Sequence, residues 1–118
     1  MKIAAIKENH PGELRVPLIP QTVDKLVKLG AKVEIEPGLG LSCRFTDDDY
    51  HKAGAQINPA RETLLNSADI ILRLRKPLLE DIPLMKKDCI HISYLDPFRE
   101  VDLVDALAAA GISAVSLE

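Results

Sequence analysis

Asp69-Ile-Ile-Leu-Arg-Leu74 is an aliphatic run closed by Pro77, and its reading decides the fold. A strand this apolar is buried on both faces, which is the habit of parallel sheets covered by helices. The flanks agree. Upstream, Pro59 to Ser67 reads as a helix with proline near its start. Downstream, Glu80 to Lys87 reads as a helix interrupted by Pro83, and Cys89-Ile-His-Ile-Ser93 as the next strand. Arg99 to Ala110 carries Val101, Leu103, Val104, Leu107 and Ala108 at helical spacing and ends at Gly111. Ile112 to Leu117 is a last strand.

The amino-terminal half repeats the alternation. Lys2-Ile-Ala-Ala-Ile6 is a strand, followed by the turn-forming Glu8-Asn-His-Pro-Gly-Glu13. After Pro20, Val23, Leu26, Val27 and Leu29 mark a helix that Gly30 stops. Ala31 to Glu36 alternates as a strand, and Pro37-Gly-Leu-Gly40 breaks it. Thr46 with Asp47, Asp48 and Asp49 opens a short helix that ends by Gly54. Strands near Ile3, Val33, Ile71, Ile90 and Ala114, alternating with helices, predict an α/β fold. Its sheet is doubly wound, mainly parallel and Rossmann-like (flavodoxin-like), with helices on both faces and one domain over 1–118.

Composition narrows the function. The chain has 118 residues, 47% of them apolar, only 3% aromatic and none tryptophan, so the core is built from Ile, Leu, Val and Ala. A net charge of −3 without a basic cluster argues against nucleic acid as a partner. No apolar run approaches the roughly 20 residues of a membrane span, and the start lacks the apolar stretch of a signal peptide. Cys43 and Cys89 stand apart in no metal-like spacing and read as buried or free thiols of a reducing compartment. No metal site is expected.

No nucleotide fingerprint is present. Gly38-Leu-Gly40 is the one close glycine pair, without the third glycine of GxGxxG; it is either a turn after a strand or a loop lining a cleft. Three places hold polar residues beside strand ends: Arg15; Arg73, Arg75 and Lys76; Tyr94 and Asp96. In a parallel sheet these share one edge, where ligands bind. Arginine forks suit carboxylates and phosphates, while a solvated basic edge with ordinary ion pairs is the plainer alternative. His91, inside an apolar strand, reads as a satisfied core histidine, His51 as a surface residue and His10 as a loop residue without evident partner. The sequence ends at Glu118 directly after a strand, so a second lobe is expected to follow.

Lys2-Ile-Ala-Ala-Ile-Lys-Glu8 followed by Pro11-Gly-Glu-Leu-Arg-Val-Pro-Leu-Ile-Pro20 resembles the opening of the alanine dehydrogenase and transhydrogenase alpha-subunit family. Gly30 to Gly40, Phe45-Thr-Asp-Asp-Asp-Tyr-His-Lys-Ala-Gly-Ala55 and Ala68-Asp-Ile-Ile-Leu-Arg-Leu-Arg-Lys-Pro77 are similar to its later motifs, in order. The resemblance implies an N-terminal lobe that walls one side of a cleft, with the NAD-binding lobe downstream of Glu118. NAD(H) would be bound by the intact enzyme and not tightly by this lobe. Alanine dehydrogenases use an Arg, a Lys and a His from this lobe. Arg15 matches the first, but Arg75 stands where the Lys is expected and Asp96, beside Tyr94, where the His is. No catalytic residue is therefore assigned, and Arg15, Arg75, Tyr94 and Asp96 remain candidates for the cleft.

Transhydrogenases pass a hydride between two nicotinamides and need no such acid–base pair. The resemblance thus favours the NAD(H)-side alpha subunit of a proton-translocating NAD(P) transhydrogenase. That implies NADP(H)-binding and membrane components as partners, a homodimer when intact, and a cytoplasmic location at the inner membrane through those partners. An alanine or saccharopine-type dehydrogenase and a non-catalytic binding module are the alternatives.

Overall fold

The computed structural model describes residues 1–118. Six strands, β1 (Lys2–Ala5), β2 (Lys32–Ile35), β3 (Gln56–Ile57), β4 (Ile70–Arg75), β5 (Ile90–Tyr94) and β6 (Ser113–Ser116), form one sheet. Every pairing is parallel, in the order β3-β2-β1-β4-β5-β6. The five longer strands alone run in the flavodoxin-like order, and the two-residue β3 at the edge completes the Rossmann order. Helices α1 (Pro20–Lys28), α2 (Asp47–Lys52), α3 (Arg61–Ser67) and α4 (Val101–Ala109) make four of the five crossovers, and a 3-10 segment makes that from β4 to β5. The order reverses between β1 and β4, so the switch-point crevice opens where these two strands end.

Two departures from the sequence reading have local causes. The segment after β4 is a 3-10 helix over Leu79–Leu84 rather than an α-helix to Lys87. Pro83 lies inside it and has no N–H for an α-helical bond. Strand β3 is too short to leave a periodic signature; it exists because Gln56 and Ile57 pair with Glu34 and Ile35.

Each face has its own core. Ala5, Val23, Val33, Ile35, Tyr50 and their neighbours pack under α1 and α2. Ala4, Ile6, Ile71, Leu64, Leu65, Leu103 and Leu107 pack under α3 and α4. Full burial of one such aliphatic side chain is worth about 1.5–3 kcal/mol. Helix α2 is only six residues long and depends on its cap. Thr46 Oγ1 accepts the Asp49 N–H at 3.1 Å, and the Asp49 carboxylate accepts the Thr46 N–H at 2.8 Å. Tyr50 on that helix is fully buried and donates to the Leu18 carbonyl at 2.7 Å; burial pushes its phenol up to about 12.

His91 sits in the second core with no solvent exposure. It is not the fully satisfied histidine expected from the sequence. Nδ1 lies 3.4 Å from Ser93 Oγ, but Nε2 has no partner. Burial first, and the nearby Arg73 charge second, depress its pKa from 6.5 to about 4, against a smaller opposing pull from Asp81.

Two tests follow from this packing. A Cβ on Gly40 would lie 2.6 Å from the Tyr50 ring and 2.7 Å from Phe45 Cβ. Gly40→Ala should therefore cost roughly 1–3 kcal/mol by overpacking. Gly12→Ala meets open space and suffers only its left-handed backbone (φ 81°), about 1 kcal/mol. Urea midpoints of the two variants decide; an equal or smaller loss at Gly40 contradicts this packing.

The second test is the pH dependence of His91. Between pH 6.5 and 4 the unfolded chain takes up a proton that the folded chain refuses. Its contribution is complete above 6.5 and is lost as pH falls towards 4, a change of roughly 3 kcal/mol. His91→Gln should remove that slope from the denaturation free energy. A wild-type-like slope in the variant would assign the effect elsewhere.

Candidate functional site

The site begins with one carboxylate. Beyond β1 the chain continues Ile6-Lys7-Glu8, and the Glu8 side chain turns to the end of β4. Its Oε1 accepts the backbone N–H of Leu74 and, at 3.1 Å, that of Arg75. At this point the β4–β5 ladder slips: Leu72 pairs with Ile92, but Arg75 rather than Leu74 pairs with Tyr94. One extra residue on β4 makes a bulge. Side chains alternate between faces along a strand, so Arg73 and Arg75 would otherwise share a face. The bulge separates them.

Arg73 points into the core. Its side chain is 1% exposed, with Nη1 3.2 Å from Asp81 Oδ2 and Nη2 3.3 Å from Asn9 Oδ1 and 3.7 Å from Glu8 Oε2. Arg61 shares Asp81 at 2.7 Å and reaches Glu36 at 2.6 Å. Desolvation pulls the Arg73 pKa down, and the Glu8 charge opposes it. Arg73 thus leaves the polar edge to which its sequence position assigned it. It is the centre of a buried charge network.

Arg75 takes the other face, that of Tyr94, and meets Arg15 there. Both donate to one carboxylate: Arg75 Nε to Glu13 Oε1 at 2.8 Å, Arg15 Nη2 to the same oxygen at 2.8 Å, and Arg15 Nε to Oε2 at 3.0 Å. The Arg15 side-chain hydrogen bonds hold Glu13 far below the usual carboxylate range, at about 2. The Arg15 guanidinium also lies over the Tyr94 ring, 5.8 Å from its centre. Arg15, Arg75 and Tyr94 are therefore one cluster.

Asp96 stands near it in a different role. Its backbone is left-handed at φ 52°, its N–H donates to Glu118 Oε1 at 2.7 Å, and its carbonyl accepts the Arg99 and Glu100 N–H groups that lead into α4. Arg75, Lys76, Tyr94, Asp96 and Arg99 line a cleft of about 620 Å³. A smaller hollow of about 240 Å³, bordered by Lys7, Glu13, Arg15 and Gly38, lies on the Arg15 side.

The remaining candidates sort plainly. Gly38 lies in a turn after β2 (φ 78°), as the plainer reading of that glycine pair expects, and also borders the smaller hollow. His10 borders the larger cleft, exposed, with Nδ1 3.0 Å from the Pro11 carbonyl. His51 is exposed on α2. Cys43 is an exposed thiol and Cys89 a buried one, which burial pushes up. Lys76 pairs with Glu100.

Sequence reasoning did not single out Glu8, Asn9, Glu13 or Asp81. A usable signal existed for Glu13, two residues before Arg15 on a turn. The Glu8–β4 contact joins residues 66 apart and has no local signature.

Residues 4–118 match the family model described as "Alanine dehydrogenase/PNT, N-terminal domain". Along its whole length the chain is 34% identical to an NAD(P) transhydrogenase alpha-subunit chain of Rhodospirillum rubrum, covering 32% of that protein. It is also 34% identical, again over its whole length, to the alanine dehydrogenase of Methanococcus maripaludis, covering 32% of it. The crystal structure of transhydrogenase from Sinorhizobium meliloti superposes on 98% of the chain with a TM-score of 0.92 at 33% identity, over 34% of that structure. The chain thus spans about a third of the length of these relatives. Sheet order, site-bearing strand ends and these likenesses agree: the chain belongs to the alanine dehydrogenase/PNT N-terminal domain family.

Proposed function

We propose that the chain is the N-terminal lobe of the NAD(H)-side alpha subunit of a proton-translocating NAD(P) transhydrogenase. In the intact enzyme it walls one side of the cleft in which a hydride passes from NADH to NADP+. The observation that carries this reading is the make-up of the Arg75–Asp96 wall. A guanidinium does not give up its proton in a protein, and that of Arg75 is fixed on Glu13. The cleft therefore holds and orients charge at Arg75, where an alanine dehydrogenase has a lysine that can exchange a proton.

The lobe itself does not fit a dinucleotide. The turn after β1 presents Glu8 and Glu13 with the single Gly12 rather than a glycine-rich run, and α1 does not begin until Pro20. The turn after β2 leads through a three-residue 3-10 segment to α2, whose first turn carries Asp47, Asp48 and Asp49. Those charges repel a pyrophosphate where a helix start would otherwise attract it. This supports an NAD(H) site on the following lobe, with the present residues shaping only the facing wall.

The partners in this reading are an NADP(H)-binding component, a membrane component and a second alpha subunit. No helix of the chain is long and apolar enough to cross a membrane. Attachment on the cytoplasmic side of the inner membrane would run through those partners.

The intact gene product, mixed with an NADP(H)-binding component, should transfer hydride from NADH to an NADP+ analogue and should not reduce NAD+ with alanine. Arg15→Ala or Arg75→Ala should lower that transfer about 10- to 100-fold by misplacing the reacting groups, with the thermal midpoint nearly unchanged. The likeness to an alanine dehydrogenase supports a second reading. Alanine turnover that disappears in Asp96→Asn would establish that reading and end the first.

A further inference from the structure

We infer that Glu13 is the positioning residue of the cleft: its single carboxylate holds Arg15 and Arg75 as one coupled unit. The inference deepens the transhydrogenase reading and rests on it for its turnover measurement alone.

The geometry is asymmetric. The Glu13 side chain is only 4% exposed, whereas those of Arg15 and Arg75 are 60% and 44% exposed. The carboxylate is enclosed and the cations are long, solvated arms that reach it. Glu13 has four hydrogen bonds: Oε1 accepts Arg15 Nη2 and Arg75 Nε, and Oε2 accepts Arg15 Nε and the Arg15 backbone N–H. That is a bidentate fork completed by a second arginine. Nothing else anchors both. Arg75 has no other side-chain acceptor, and Arg15 has only the Tyr94 ring besides.

Two guanidinium groups sharing an oxygen repel each other once that oxygen is neutral. Each side chain also carries rotamer entropy that holding it in place must overcome. Without the Glu13 charge both arms should leave, not one. While it is present, the Nη groups of Arg75 have no protein acceptor, and Arg75 is among the residues that line the larger cleft. Glu13 thus fixes the direction of both cations without touching the reacting groups itself.

The test has two measurements. In 15N-arginine spectra of the chain, the Nε–H signals of Arg15 and Arg75 should be slow to exchange, and Glu13→Gln should abolish both. The Arg61 signal, anchored on Glu36 and Asp81, should stay and report that the fold is intact. Glu13→Asp, one methylene shorter, should keep at most one of the pair. If Arg75 or Arg15 keeps its protected signal in Glu13→Gln, the inference is wrong.

In the intact enzyme, Glu13→Gln should lower kcat for hydride transfer by about tenfold, with the KM for NADH nearly unchanged. Glu13→Gln combined with Arg75→Ala should be no slower than the slower single variant, because both break one unit. Multiplying losses would overturn the coupling. Coupled signals with no effect on hydride transfer would support Glu13 as the anchor and count against the transhydrogenase reading instead.

Discussion

The Glu8 carboxylate on the two amides of the β4 bulge is the constraint from which the site is built. A parallel ladder leaves no spare N–H groups; a bulge leaves one residue without a strand partner. Buried and unpaired, such an amide costs about 1–3 kcal/mol. Glu8 Oε1 takes both Leu74 N–H and Arg75 N–H. The compensation is tied to the change of face. Arg73 keeps the face of Ile71 by ordinary alternation, and the satisfied bulge turns Arg75 to the opposite face. The second Glu8 oxygen then faces Arg73 Nη2 at 3.7 Å, so one carboxylate both caps the bulge and balances the buried cation beside it. Arg73, Arg61, Glu8, Asp81 and Glu36 close the network, and breaking one member would strand another's buried charge.

The same switch point governs how the faces are covered. Right-handed crossovers put α1 and α2 on one face while the strand order runs outward to β3. Once the order reverses, α3, the 3-10 segment and α4 fall on the other face. Each half-sheet is therefore helix-covered by its own crossovers on one side only. The row Ile35, Ala5, Leu72, Ile92, Val115 records this: the first two are fully buried, the next two half-buried, and Val115 is 46% exposed. The opposite uncovered half differs in chemistry. There Glu34 lies against Lys2 at 2.5 Å and Asn58 at 3.0 Å, as the alternation of Lys-Val-Glu-Ile-Glu anticipates. On their uncovered side β4 and β5 present Leu72 and Ile92 instead.

What the sequence revealed divides along locality. Ile70–Leu74 could be read as a buried strand because a continuous aliphatic run allows few alternatives. The start of α2 was legible because Thr46 and the acids after it act within four residues. Gly30 and Gly111 marked helix ends for similarly local reasons. The bulge was not legible. Nothing between Leu72 and Arg75 signals an extra residue; the cause is a glutamate 66 positions away. Alternation alone puts Arg73 and Arg75 on one basic edge, whereas Arg73 is buried in the core and Arg75 borders the larger hollow with Tyr94. His91 is legible as a core residue, but neither its unpartnered Nε2 nor the Arg73 charge that helps depress its pKa has a local signal.

The bulge also bears on what the cleft can do. Turned outward, Arg75 finds a carboxylate already occupied by Arg15, and a second guanidinium can join only if that carboxylate stays charged. It does: with a pKa held at about 2, Glu13 is an anion at neutral pH. Guanidinium groups are likewise fixed in charge. The three charges therefore stay constant, two positive and one negative, while an acid–base device requires a group that changes charge near the working pH. An array of constant charge can orient a polar or anionic group and lower the cost of bringing reactants together. It cannot supply or remove a proton. What this part of the wall offers a bound group is position and field.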